Sequence, residues 1–206
     1  MYEDNQWNAV TGDELQGFIG QVNPIDGKYQ ANAQTTEVSW RTLPFYDQVV
    51  LIRLRDRSWG KPRLSIYFLA DQGVLYRLNG TSPPIHEVNA KAPIKVTEAN
   101  VLEYLRFFCF FVRGEEGPFL IAESMEDPYI PQNLDPKTRT VIEGTVRAAS
   151  YEGRNEQGHF LCDAVVYYSN ALFIANFAVQ QSGMIEMLND EPIAADLPVK
   201  VDAPVA

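Results

Sequence analysis

"RFFCFFVRGEEGPF", residues 106–119, sets four phenylalanines and a cysteine between Phe107 and Phe111, then ends on a charged, glycine-bearing turn. Three readings compete for such a run: a membrane anchor, a partner-binding surface, or the interior of a water-soluble domain. The apolar stretch from Val101 to Val112 is broken by Glu103 and Arg106. It is also far short of the roughly 20 apolar residues a bilayer-spanning helix needs. Thr97 as N-cap, Glu98 in the first turn, Arg113 in the last and Gly114 beyond it punctuate a helix through residues 101–112. Val101, Leu102, Leu105, Phe108, Cys109 and Val112 recur at helical spacing, while Tyr104, Phe107, Phe110 and Phe111 make the opposite side apolar as well. A helix apolar all round belongs inside a core.

Working outward, the segments on either side read as strands. "DQVVLIRLRDR" and "RLSIYFLAD" flank "SWGKP", and "VLYRLN" follows a turn at Gln72–Gly73, which predicts a three-stranded meander. Pairing the first two strands sets Leu54 opposite Ile66, Ile52 opposite Phe68 and Val50 opposite Ala70. Val74, Tyr76 and Leu78 are expected on the same apolar face. This register also opposes Arg57 and Arg63, which is unfavourable. "NGTSPPIHEVNAKAPI" reads as a proline-rich crossover, "PFLIAES" as a further strand and "MEDPYIPQNLDPK" as a linker. A second meander follows in "RTVIEGTVRAASYEG", "GHFLCDAVVYYSN", "ALFIANFAVQ" and "MIEMLND". Its pairing places Val146, Ala148, Cys162, Ala164, Phe173, Ala175, Phe177 and Met187 on one face, the face expected to receive the phenylalanine-rich helix.

The predicted fold class is therefore α+β: predominantly antiparallel sheet, two meanders forming one curved sheet or two packed sheets, around one long buried helix. Residues 1–40 form a weakly structured segment with one short helix, announced by the capping box Thr11–Glu14. Residues 41–190 form the domain, with a subdomain boundary at 125–137, and residues 191–206 an extended tail.

Composition narrows the partners. The chain carries 27 acidic against 17 basic residues, a net charge of -10. That opposes non-specific binding of nucleic acid or of an anionic membrane, and neither is expected as a partner. Two cysteines, Cys109 and Cys162, each inside an apolar stretch, read as buried thiols of a reducing compartment. The first residues, "MYEDNQWNAV", resemble no secretory leader, so a cytoplasmic location is the expectation. No HExxH, CxxC, glycine-rich phosphate loop or GxSxG elbow occurs, and neither a metal nor a cofactor is expected.

Two polar patches emerge from the strand registers. On the reverse of the first meander, Arg53 faces Tyr67 and Tyr67 faces Arg77, with Arg55 one step along. Guanidiniums around a phenol can clamp a carboxylate or phosphate. On the second meander, Arg147 faces Asp163 and Asp163 faces Asn176, with His159 and Gln180 toward one end and Val165, Tyr167, Leu172 and Ile174 making an apolar floor. Strand alternation sends Cys162 to the other face, away from His159 and Asp163. His86, beside Glu87, reads as a local hydrogen-bonding residue, and Glu115 and Glu116 as a solvated turn. The function expected from these patches is non-catalytic binding of a small anionic ligand or an acidic partner segment by Arg53, Arg55, Tyr67 and Arg77. The alternatives are a metal-independent hydrolase using His159, Asp163 and Arg147, and a structural subunit of a homo-oligomer such as a homodimer.

Overall fold

The computed structural model describes residues 6–25, 28–59, 64–128 and 130–198. It is an α+β protein, with four α-helices and mainly antiparallel strands among the described residues. The chain divides into two compact units, one running to Pro93 and the other beginning at Ile94.

The first unit is built on a five-stranded antiparallel sheet in sequence order: β1 (Asn8–Ala9), β2 (Thr36–Thr42), β3 (Val50–Asp56), β4 (Ser65–Asp71) and β5 (Val74–Leu78). Residues expected to be weakly structured thus supply two strands and the helix α1 (Gly12–Val22) between them. Thr11 is the N-cap of α1, though its side chain makes no capping bond. Alternation in "TEVSWRT" turns Val38 and Trp40 to one face and Glu37, Ser39 and Arg41 to the other. On the first face Val38, Ile52, Leu54, Ile66 and Phe68 pack with Ile19 and Val22 of α1 into one core. The predicted β3–β4 register is found residue for residue: Leu54 with Ile66, Ile52 with Phe68, Val50 with Ala70. At its end Arg57–Trp59 form a 3-10 turn, and the expected opposition of Arg57 to Arg63 falls outside the described residues.

Asp56, at that strand end, is nearly sealed from solvent and accepts hydrogen bonds from the hydroxyls of Thr35 (2.7 Å) and Thr36 (2.5 Å) and from Ser58 N (2.7 Å). Burial pushes the Asp56 carboxyl up, but the bonds from Ser58, Thr35 and Thr36 outweigh it together and hold the carboxyl down at about 2.

One register differs from expectation. The β4–β5 turn has two residues, with φ +47° at Gln72 and +84° at Gly73, the backbone of a primed hairpin turn. It pairs Asp71 with Val74, so Phe68 opposes Arg77 and Tyr67 opposes Leu78. Val74, Tyr76 and Leu78 consequently share a face with Tyr67 and Leu69, not with Phe68 and Ala70. A one-residue slip reverses every side chain of a strand.

The segment expected as a proline-rich crossover is the helix α2 (Pro83–Lys91), with Ile85 and Val88 buried against β4 and β5. Its prolines occupy the first turn, where a missing N–H costs nothing because that donor has no intrahelical partner.

The second unit contains the phenylalanine-rich helix, α3 (Val101–Phe111). Seven of its eleven residues are buried, including Tyr104, Phe107, Phe110 and Phe111, while Glu103 is exposed. It is a three-turn element, one of four α-helices among the described residues, and it ends one residue short of the expected 112. Its ends differ too. Asn100 is the N-cap position, and Thr97 lies in the preceding turn, held by Asn100 Oδ1 accepting from Thr97 N at 2.7 Å. Val112 ends the helix in extended backbone, and Arg113 and Gly114 begin a hairpin of β6 (Arg113–Gly114) and β7 (Gly117–Pro118) whose exposed turn is Glu115–Glu116.

Beyond the hairpin come β8 (Leu120–Ile121), α4 (Pro136–Glu143), β9 (Ser150–Arg154), β10 (Phe160–Tyr168), β11 (Ala171–Val179) and β12 (Ile185–Ala194). Strand β10 pairs β11 over its full length and divides its other edge between β9 and β8, while β12 flanks β11. The predicted pairs Ala164–Ala175, Cys162–Phe177 and Phe177–Met187 are present. Residues 139–147, expected as strand, are not: Asp135 caps α4 by accepting from Lys137 N and Thr138 N, and the helix runs through most of that stretch. Val146 accordingly packs with Val165, Tyr167 and Leu172, the face opposite to that expected.

Helix α3 lies against β7, β8 and β9, and the Tyr104 hydroxyl donates to the Gly183 carbonyl at 2.6 Å. The segment expected to separate subdomains, 125–137, lies inside this unit, and Ile130 within it is fully buried. The expected tail starts inside β12, continues to a buried Leu197 that donates to Asn170 O, and passes outside the described residues after Pro198.

Candidate functional site

The reverse face of the first sheet brings the candidate binding residues together. Ser39, Arg53 and Tyr67 form one row across β2, β3 and β4, and Glu37, Arg55 and Ser65 the next. Trp7, just ahead of β1, lies over them: the Arg53 guanidinium is 4.0 Å from its ring centroid, that of Arg41 5.6 Å, and the Tyr67 ring 6.3 Å. Stacking on indole holds a guanidinium by its face and fixes the plane of its fork. Arg55 is oriented from the other side, its Nε donating to Ser65 Oγ at 3.0 Å. Arg41 also donates to Gln6 Oε1 at 2.9 Å.

Between these side chains opens a cleft of about 360 Å³ lined by Trp7, Ala9, Glu37, Val38, Ser39, Arg53 and Arg55. That volume is near the lower end of small-ligand sites. Arg53 and Arg55 are each half-buried, so charges meeting them are screened less than on open surface.

Arg77 does not join the cluster. The two-residue turn sends it to the opposite face, where its guanidinium lies 5.6 Å from the Phe68 ring and donates to Leu78 O at 2.5 Å. Trp7, Ser39 and Glu37 are the site residues that inspection of the sequence missed. The signal was available in the period-2 alternation of "TEVSWRT", which marks a strand ahead of β3.

The second patch keeps its centre and loses its ends. Arg147 reaches Asp163 Oδ1 at 2.6 Å, and Asn176 donates to Asp163 Oδ2 at 3.1 Å, so both carboxylate oxygens are occupied. His159 lies four residues from Asp163 in sequence, roughly 13 Å at strand rise. Its backbone closes the turn with Asn155. Gln180 Oε1 accepts from Ser182. The expected apolar floor is not open: Val165 and Leu172 are fully buried under Ile130, Ile142 and Leu197. Asp163 and Asn176 thus form a cross-strand pair, joined by Arg147 from the segment after α4, over a filled core, with His159 apart from it.

Other titratable groups are structural in their surroundings. Arg106 makes a two-pronged pair with Glu123 (2.9 and 2.5 Å), and Glu123 also accepts from Ala149 N. Burial pushes the Glu123 carboxyl up, and these bonds bring it below the usual range. Burial lowers His86 on α2, and it drives the thiols of Cys109 and Cys162 up to about 12, far from the reactive range. Among the described residues no group of three His, Cys, Asp or Glu side chains is placed to hold a metal ion, and no helix is long and apolar enough to cross a membrane.

Comparison with known proteins finds no matching family model, no matching curated protein and no matching solved structure.

Proposed function

We propose that this is a non-catalytic binding protein whose first unit holds a small anionic ligand in the cleft of Trp7, Arg53 and Arg55. The observation that carries this reading is the convergence of two half-buried guanidiniums on one cleft, each already oriented, Arg53 by the indole of Trp7 and Arg55 by Ser65. Orientation before binding lowers the entropy that a flexible side chain loses on engaging its ligand. A carboxylate or phosphate meets the guanidinium rims by charge-assisted hydrogen bonds, and the Tyr67 ring closes the row behind Arg53.

Isothermal titration of the full chain with a panel of small carboxylates and phosphates tests this. Arg53→Ala and Arg55→Ala are each expected to weaken a ligand found by the screen by about tenfold to a hundredfold, since hydrogen bonds to charged groups contribute about 1.5–3 kcal/mol. Arg77→Ala, on the other face, is expected to leave affinity unchanged. Equal affinity in wild type and in both Arg53 and Arg55 variants would retire the cleft as the binding site. Binding only of acidic peptides, with no small anion, would replace the ligand by a partner segment.

A further inference from the structure

The loop between β5 and α2 reads "NGTS", Asn79 to Ser82, and holds the one asparagine–glycine pair of the sequence. Asn79 and Thr81 are exposed. The Asn79 side-chain oxygen accepts two hydrogen bonds from Thr81, one from its main-chain N at 3.0 Å and one from Oγ1 at 2.7 Å. A main-chain N–H can only donate, so the amide atom held by Thr81 is the oxygen. Nδ2 makes no hydrogen bond with another described residue. Gly80 follows with φ +91°, in the left-handed region, and has no side chain to crowd its nitrogen.

Three parts of a reaction meet in this turn. The Asn79 amide carbon is an electrophile, and the Gly80 nitrogen is the nucleophile next in the chain, so no encounter has to be arranged. The two Thr81 donors already sit on the oxygen where negative charge gathers as its carbon becomes tetrahedral. Donors in place before reaction lower the barrier, because nothing reorganises as the charge develops.

We infer that Asn79 is a self-modifying site, at which the chain converts its own asparagine to a carboxylate through a succinimide ring. Gly80 N bonds to Asn79 Cγ, the Cγ–Nδ2 bond breaks, and Nδ2 departs as ammonia with the proton shed by the Gly80 amide. Water then opens the ring at either carbonyl and leaves aspartate or isoaspartate at position 79. One water enters, one ammonia leaves, and nothing is oxidised or reduced. The conversion puts a negative charge on the junction of β5 and α2, ahead of a helix whose first turn holds no acidic side chain. In the aspartate product the donors that served the reaction hold the carboxylate by charge-assisted bonds.

Peptide mapping by mass spectrometry of the full chain, held in mildly alkaline buffer, follows the exchange of an amide NH2 for OH at every asparagine. A synthetic peptide of residues 76–82 is the unfolded reference. Asn79 is expected to convert before any other asparagine and roughly two- to tenfold faster than in the peptide, the rate equivalent of a hydrogen bond to the carbonyl. Thr81→Val keeps the side-chain shape and the main-chain donor but removes the hydroxyl. It is expected to slow the folded chain by roughly two- to tenfold and to leave the peptide unchanged. Circular-dichroism melts of Thr81→Val, a substitution at an exposed loop position, verify that the fold is retained. Isoaspartate appearing beside aspartate identifies attack by Gly80 N. The inference is overturned if aspartate forms alone, which marks direct attack by water. It is equally overturned if the folded chain converts Asn79 no faster than the peptide, if another asparagine converts first, or if Thr81→Val leaves the rate within twofold. The anion cleft stands or falls independently of these results.

Discussion

Replacing Tyr104 by phenylalanine isolates one contact on which the second unit depends. The hydroxyl, on a fully buried side chain, donates to Gly183 O at 2.6 Å and links α3 to the loop between β11 and β12 across 79 residues of chain. The substitution keeps the ring, whose neighbours are Phe107 (centroids 6.3 Å apart) and Phe108 (6.2 Å), so packing changes little. What is lost is the donor, leaving a buried carbonyl unsatisfied at a cost of about 1–3 kcal/mol. Native-state amide exchange of residues 101–111 reads this directly, since the slowest amides report the free energy of opening that region. Tyr104→Phe is expected to speed their exchange by roughly five- to a hundredfold, the rate equivalent of that cost. Glu103→Gln, exposed on the same helix, serves as the control and is expected to change rates less than twofold. Should Tyr104→Phe also leave the rates within twofold, the hydroxyl does not tie α3 to the loop, and the account of this core is refuted.

Two more outcomes are expected of the first unit. The folded carboxyl of Asp56, at about 2, lies below its ordinary value of 3.8, so its contribution is fully present above pH 4 and lost as pH falls through 2. Thermal melts from pH 7 to pH 2 should show a loss on the order of 2 kcal/mol from this group, and Asp56→Asn should remove that component of the acid slope while lowering stability at neutral pH. An unaltered acid slope in the variant would count against the Thr35, Thr36 and Ser58 bonds. Gly73→Ala places a Cβ in open space but at φ +84°, so backbone strain alone should destabilise by about 1–2 kcal/mol in urea unfolding. No loss would mean that the turn is not the primed two-residue type.

How much of this could be read from residues alone depended on how far the local pattern decided the long-range pairing. The β3–β4 register was legible because a slip would have exposed Ile52, Leu54, Ile66 and Phe68 together. The pairing of Asp163 with Asn176 was legible for the same reason, with Ala164, Cys162 and Val165 fixing the phase. The β5 phase was not, because "VLYRL" has apolar residues at both parities and only the turn length decides it; with that phase went the placement of Arg77. Pro83 and Pro84 looked like loop residues when they are in fact the first turn of α2. Threonine and valine in "KTRTVIE" favoured a strand that capping by Asp135 overrode. The site was half visible: Arg53, Arg55 and Tyr67 came from one register, Glu37 was marked by the alternation of β2, and Trp7 required the β1–β2 pairing, which spans thirty-odd residues and leaves no mark in a local window.

The division at Pro93 has a practical corollary. Every tryptophan of the chain, Trp7, Trp40 and Trp59, precedes it, and both cysteines, Cys109 and Cys162, come after it. Indole emission therefore tracks the melting of the N-terminal half alone. Alkylation of two thiols that are buried when folded times the opening of the C-terminal half alone. The unmodified polypeptide carries a separate gauge for each half, and the order in which the halves come apart can be recorded without a label or a mutation.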